Sequence, residues 1–325
     1  AWSMIRRIVL LIVTLAALLA WAGTGRPAGA APGGTVLRAI APCRIVDTRQ
    51  GGQGRLIAGA VRYYRAAASA RTIAAQGGNA AGCPIPSSAT ALAVSVTAVT
   101  PTGTGYVQAG RSQGGGPAAT IVNYPRHRSI TNSGTVPVDV GGLRIVNRAS
   151  TTHLVIDVQG IFVPAGSPAA SGGARFVTVT PCRVADTRRF AVPMGPTETR
   201  VFSVAGTSGA IAGQGGTAGG CGVPVGASAV VASVTAVQAR SFGYLRTWAT
   251  GLVPPTATVL NYGPAPGTTN SVVVGISPAS GEFSVANRGG TIHLTVDVLG
   301  YYVTSRSPEW TWGAEYLPSS PCRVL

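Results

Sequence analysis

Two of the three histidines in the sequence, His153 and His293, each stand four residues ahead of an aspartate, Asp157 and Asp297. On an extended strand, residues four apart share a face. A histidine sharing a face with a carboxylate is a minimal arrangement for acid-base hydrolysis or metal ligation. Gly110-Arg111-Ser112-Gln113-Gly114 also matches the Gly-x-Ser-x-Gly pattern of a serine nucleophile. That pattern works only on a strand-to-helix elbow. Here Gly115-Gly116-Pro117 follows, and the corresponding place in the second half of the chain reads "ATGLV", so the match is a decoy. A third reading of the carboxylates is structural. With 9 acids against 25 basic residues, every aspartate has arginines to spare, and a half-buried carboxylate must be paired. Arg44 or Arg49 is expected to hold Asp47 and Asp157, and Arg183 or Arg188 to hold Asp186 and Asp297. Thr48 and Thr187 add hydroxyls suited to turn capping.

The basic residues are all arginine. Without lysine there is no Walker A loop, no Schiff-base chemistry and no Ser-Lys dyad. The formal charge is +16, and it stays at +13 when Arg6, Arg7 and Arg26 are set aside, leaving 22 arginines against 9 acids. The arginines are scattered. A diffuse positive field favours an anionic cell-wall polymer or acidic polysaccharide as partner, and the absence of a basic stripe argues against specific nucleic-acid recognition. The runs "AQGGNAAGC" and "GQGGTAGGC" lead into a cysteine rather than a helix, which argues against a phosphate cradle. No cofactor and no metal are called for.

The elements that must position these residues come in two copies. Pro42-Cys43-Arg44 recurs as Pro181-Cys182-Arg183 after 139 residues and as Pro321-Cys322-Arg323 after a further 140. "SVTAV" at Ser95 and Ser233, Gly105-Tyr106 and Gly243-Tyr244, Asn123-Tyr124 and Asn261-Tyr262, and the two His-Asp pairs all keep step. A period this long makes each copy a domain-sized unit. The expected division is a leader over 4–30, repeat one over 35–164, a small-residue linker over 165–173, repeat two over 174–304, and a linker with the truncated start of a third repeat over 305–325. Cys43 with Cys83 and Cys182 with Cys221, 40 and 39 residues apart, read as one disulfide per repeat in an exported protein.

Short runs of β-branched and aromatic residues broken by Gly, Pro, Asn and Ser predict an all-β protein made of two antiparallel, jelly-roll-like sandwiches. "EFSVAN-RGG-TIHLTVDV" reads as its clearest hairpin. Tyr106, Tyr124, Tyr244, Trp248 and Tyr262 could offer stacking platforms for sugars.

The order of motifs, from Pro-Cys-Arg-x-x-Asp-Thr-Arg through the second Cys, "VTAV", "GY", "LNY" and "TNS" to "HLTVDVLGYYV", resembles a repeated module of secreted proteins from actinobacteria and related bacteria. The resemblance covers nearly the whole chain after the leader and implies an exported, multi-copy β domain. It implies no activity. The expectation is therefore a non-catalytic secreted or cell-surface protein, acting as spacer, scaffold or adhesion module. Polysaccharide binding is the alternative, and a His/Asp hydrolase the third reading.

Arg6-Arg7 ahead of an apolar run from Ile8 to about Ala22, with Ala-x-Ala sites ending at Ala22 and Ala30, reads as a signal peptide starting at Met4. The run falls short of the roughly 20 residues needed to span a bilayer, so membrane contact is expected only through this segment. N-terminal sequencing of exported protein is expected to find a mature end between Gly23 and Pro32; an end at Met4 would contradict it.

Overall fold

The computed structural model describes residues 34–113, 119–206 and 208–317. The leader, Gly114 of the serine decoy and the third Pro-Cys-Arg lie outside the described residues. Repeat one runs β1 (Thr35–Asp47), β2 (Val61–Tyr64), α1 (Ala70–Ala75), β3 (Ala91–Val99), β4 (Gly105–Arg111), β5 (Thr120–Tyr124), β6 (Ile130–Pro137), β7 (Leu143–Arg148) and β8 (His153–Pro164). Repeat two follows the same order with β9 (Ala174–Asp186), β10 (Thr199–Ser203), α2 (Ser208–Gly213), β11 (Ala229–Ala239), β12 (Gly243–Ala249), β13 (Leu260–Tyr262), β14 (Ala265–Gly275), β15 (Glu282–Gly289) and β16 (His293–Thr304). The protein is all-β with antiparallel pairing, as the sequence predicts.

The reason is legible in β3, "ALAVSVTAV". Its alternate residues Leu92, Val94, Val96 and Ala98 enter one core with Val107 of β4, Ile145 of β7 and Tyr64 of β2. Strand order β1-β8-β3-β6 makes the larger sheet of repeat one and β2-β7-β4-β5 the smaller, and their apolar faces meet. Repeat two repeats this with β9-β16-β11-β14 and β10-β15-β12-β13, around Val230, Val234, Leu245, Phe202 and Phe283.

The hairpin expectation is corrected. β15 pairs with β10 and β12 in the smaller sheet, whereas β16 pairs with β9 and β11 in the larger one. The Asn-Arg-Gly-Gly stretch is a corner between sheets. Asn287 is fully buried there, and its amide donates to Gly195 O at 2.8 Å and Gly290 O at 2.7 Å. A side chain clamped inward in this way turns the chain across the core instead of back along the same sheet.

The two larger sheets join at a single register pair, Leu37 with Ala174, and fold toward each other over a shared cluster that includes Leu37, Ala91, Phe162, Ala229 and Tyr302. A 3-10 turn at Pro168–Ala170 leads into Ala174, and a second at Pro308–Thr311 leads toward Ala314.

Cys43 is bonded to Cys83 and Cys182 to Cys221, with Cα separations of 5.9 and 5.6 Å. Such bonds persist in an oxidising, extracytoplasmic setting. Among the described residues no helix is long and apolar enough to cross a membrane. Non-reducing peptide mapping is expected to recover these two pairs and no Cys83–Cys182 link. Replacing either pair by serines should lower unfolding free energy by about 3–4 kcal/mol from lost loop-closure constraint, read by denaturant melts.

Candidate functional site

The repeated Pro-Cys-Arg-x-x-Asp-Thr-Arg string ends the first strand of each repeat, and a register shift between Arg44 and Val46 re-aims its side chains. Arg44 lies directly across from Asp157 in the ladder. Its Nε donates to Asp157 Oδ1 at 2.8 Å and its Nη2 to Oδ2 at 3.2 Å, while Nη1 reaches Asp47 Oδ2 at 3.3 Å. Arg49 closes the network on Asp47 through Nε at 2.9 Å and Nη2 at 2.6 Å. Repeat two rebuilds it: Arg183 on Asp297 at 2.8 and 3.0 Å and on Asp186 at 3.1 Å, with Arg188 on Asp186 at 2.9 and 2.7 Å. The structure thus brings together all eight residues singled out for a polar network.

The charges reinforce one another. Hydrogen bonds from the Arg188 side chain hold the Asp186 carboxyl at about 2, against a smaller opposing effect of burial. Burial acts to raise Asp47, but the bonds from Arg49 outweigh it and its carboxyl is lowered. Burial likewise opposes the charge on Arg44, and the bond to Asp157 together with the negative charges of Asp157 and Asp47 overcomes it.

The histidines turn elsewhere. His153 Nδ1 lies 3.0 Å from Thr48 Oγ1, and His293 Nδ1 3.1 Å from Thr187 Oγ1. Each threonine hydroxyl also accepts the amide of the next residue on the strand, Leu154 or Leu294, at 2.9 Å. Burial, with Arg55 and Arg49 nearby, pushes the His153 imidazole below its usual range. So the two members of each His-Asp pair face different partners. Ser112 of the decoy bonds Asp139, which also accepts the Gln113 and Gly141 amides, both at 2.8 Å. Among the described residues no three His, Cys, Asp or Glu side chains gather to hold a metal ion.

Three of the five aromatic candidates are core residues: Tyr124, Tyr262 and Trp248 are buried, which removes them as stacking platforms. The Tyr124 hydroxyl bonds Asn147 Oδ1 at 2.7 Å, and the Tyr262 hydroxyl bonds Asn287 Oδ1. Gly105 and Gly243 are glycine because a Cβ there would collide with those hydroxyls. Tyr106 and Tyr244 remain accessible. Tyr244 lines a crevice between the repeats, about 510 Å³ in volume, together with His127, Arg128, Phe242, Asn261 and Arg288. A smaller hollow of about 180 Å³ shares Tyr244 and Asn261 and adds Arg44, Arg49 and Arg246. Among the described residues Arg128, Arg246 and Arg288 make no ion pair, and Arg246 Nε is buried without a hydrogen-bond partner.

Sequence reasoning missed Gln76 and Gln214. Gln76 bonds Arg65 N at 2.7 Å and Ile45 O at 3.0 Å, and Gln214 bonds Ser203 N at 3.0 Å and Val184 O. The adjacent Gly77 and Gly215 take φ of +77° and +84° and bridge to Val46 and Ala185. The Gly-rich runs therefore fasten the end of the first strand. Their recurrence beside Gln in both copies was the available signal. Compared with models of protein families and with curated proteins, the chain matches none.

The two networks differ in one respect. In repeat one, Thr258 N donates to Asp157 Oδ2 at 2.9 Å and Thr256 O accepts from Arg44 Nη2 at 2.9 Å, both from repeat two. The Asp157 side chain is 0% exposed and that of Asp297 29%. Asp157→Ala should then cost about 3–5 kcal/mol, the loss expected on breaking a buried pair. Asp297→Ala should cost about 1 kcal/mol or less, because water screens that pair. Denaturant melts of the two variants check the ranking, and equal losses would contradict it.

Proposed function

We propose that the chain is an exported, non-catalytic scaffold or adhesion protein of the bacterial surface, its repeats serving as rigid spacing modules. The observation that carries this reading is that each recurring residue type fit for chemistry is engaged in holding the fold. The aspartates are clamped by arginines, the histidines bond threonines, and four cysteines are oxidised in pairs. The disulfides support an extracytoplasmic setting, and the leader-like segment supports export.

A second reading is favoured by the crevice. Arg128 and Arg288 in the crevice and Arg246 in the adjoining hollow, without an ion pair among the described residues, stand with Phe242 and Tyr244 and combine charge for an anionic group with apolar rings for a sugar face. The ligand would be an acidic polysaccharide or anionic cell-wall polymer.

Purified protein is expected to bind polygalacturonate, lose that binding at least tenfold in the Arg128→Ser, Arg246→Ser double variant, and ignore neutral dextran. Wild-type affinity in that variant would sink the second reading. Turnover of polygalacturonate or of a simple ester that disappears in a His153→Ala, His293→Ala variant would overturn the first.

A further inference from the structure

The starts of three repeats meet in the structure. Leu37 pairs with Ala174, Phe176 with Ala314, and Tyr316 with Thr35. By the repeat offsets, Thr35, Ala174 and Ala314 are one position, and Leu37, Phe176 and Tyr316 another. Each first position therefore pairs with the second position of the preceding repeat, and the last link returns to repeat one. The Thr35 and Tyr316 backbones exchange two hydrogen bonds of 2.9 Å. The pattern is cyclic and threefold, and repeats one and two occupy two of its three places.

The contact between those two repeats is heterologous, one patch against a different patch. Repeat one supplies a sheet face, Ser95, Thr97, Thr131, Ser133 and Asp157. Repeat two supplies an edge, Thr256, Thr258, Asn261 and Asn270. Asn270 bonds Ser133 N at 3.2 Å and Ser133 Oγ at 2.9 Å, and Asn261 bonds Thr131. Each of these positions except Thr256 has a counterpart among the described residues, and those counterparts are more exposed. On repeat two, Thr269 and Ser271 are exposed and Ser233, Thr235 and Asp297 half-buried, where Ser95, Thr97, Thr131 and Asp157 are buried. On repeat one, Asn123 and Asn132 are exposed, where Asn261 is half-buried and Asn270 buried. Asn132 still bonds Ile121 O at 2.7 Å, as Asn270 bonds Val259 O at 2.6 Å, so the edge keeps its shape without its outer contact.

We infer that these two open surfaces, the hydroxyl face of repeat two and the asparagine edge of repeat one, are the docking sites for a third copy of the module in cis, continuous with the segment Ala314–Tyr316. Its edge would cap Arg183 and Asp297 as Thr256 and Thr258 cap Arg44 and Asp157, and its own face would receive the edge of repeat one. The Pro321-Cys322-Arg323 string is the opening motif of such a copy.

The test extends the chain after Cys322 with a second copy of residues 183–304. The extended protein should be monomeric and melt at a higher temperature than the 325-residue chain. Ser271→Cys should form an intramolecular disulfide with a cysteine at the added module's counterpart of Asn270, as Ser133→Cys should with Asn270→Cys in the parent. Thr235→Arg should destabilise the extended chain more than the parent. An equal or lower melting temperature, equal Thr235→Arg effects, or links formed only between molecules, which would make a second chain the occupant, each overturn the inference.

Discussion

A carboxylate removed from water without a partner costs several kcal/mol or more, and the pairing of Asp157 with Arg44, matched by Asp297 with Arg183, is the constraint around which each module is organised. Arg44 must face Asp157 across the ladder and still reach Asp47 three residues on. A regular strand cannot do both, so the first strand shifts register at that point. The irregular strand end is then fastened on every side. Cys43, one residue before the arginine, is tied to Cys83. Asn79 N bonds Arg44 O at 2.8 Å, and Asp47 N bonds Gln76 O at 3.0 Å. The glycines beside Gln76 are small because the chain runs against that strand end.

Two copies of nearly the same motif sit in unlike surroundings. Around Arg44 the network is sealed by the backbone of repeat two, and around Arg183 it meets solvent. Local sequence specifies the pairing in both cases, because the residues involved lie within one repeat. Its depth is set by what lies across the face, and that belongs to the neighbour. The same holds for β3 and β11, both carrying "SVTAV": Ser95 and Thr97 are buried while Ser233 and Thr235 are half-exposed. A heterologous contact leaves one unmatched patch on each end member, which is why the repeats cannot be equivalent as a pair.

Much of the network was readable in the sequence because acids are scarce and recur at fixed offsets. With nine acids in the chain, Asp47, Asp157, Asp186 and Asp297 stand out, and arginines recur beside two of them. The cysteine pairing was readable for the same reason. Asn287 was misread because Asn-Arg-Gly-Gly has the composition of a turn, while its role depends on Tyr262 and Gly195, distant in sequence. Tyr124 and Tyr262 resembled sugar platforms because a tyrosine does not disclose where its hydroxyl points. The glycines at 105 and 243, one register step across the sheet, held that information, since they leave room for the ring. The cyclic meeting of Thr35, Ala174 and Ala314 had no trace in composition at all, and it emerges only when the strand starts are seen side by side.

Thr35 and Tyr316 are hydrogen-bonded neighbours although 281 residues separate them. Residues 34–317 therefore begin and end at one spot, and this folded unit contributes thickness but little end-to-end separation between those two points. Tension applied at those two points would load first the backbone bridge between Thr35 and Tyr316, whose two hydrogen bonds would part in succession rather than together. The disulfides lie farther in and would each withhold about 40 residues from extension. Pulled from those two points, the unit should yield in stages, beginning at the bridge between its first strand and Tyr316.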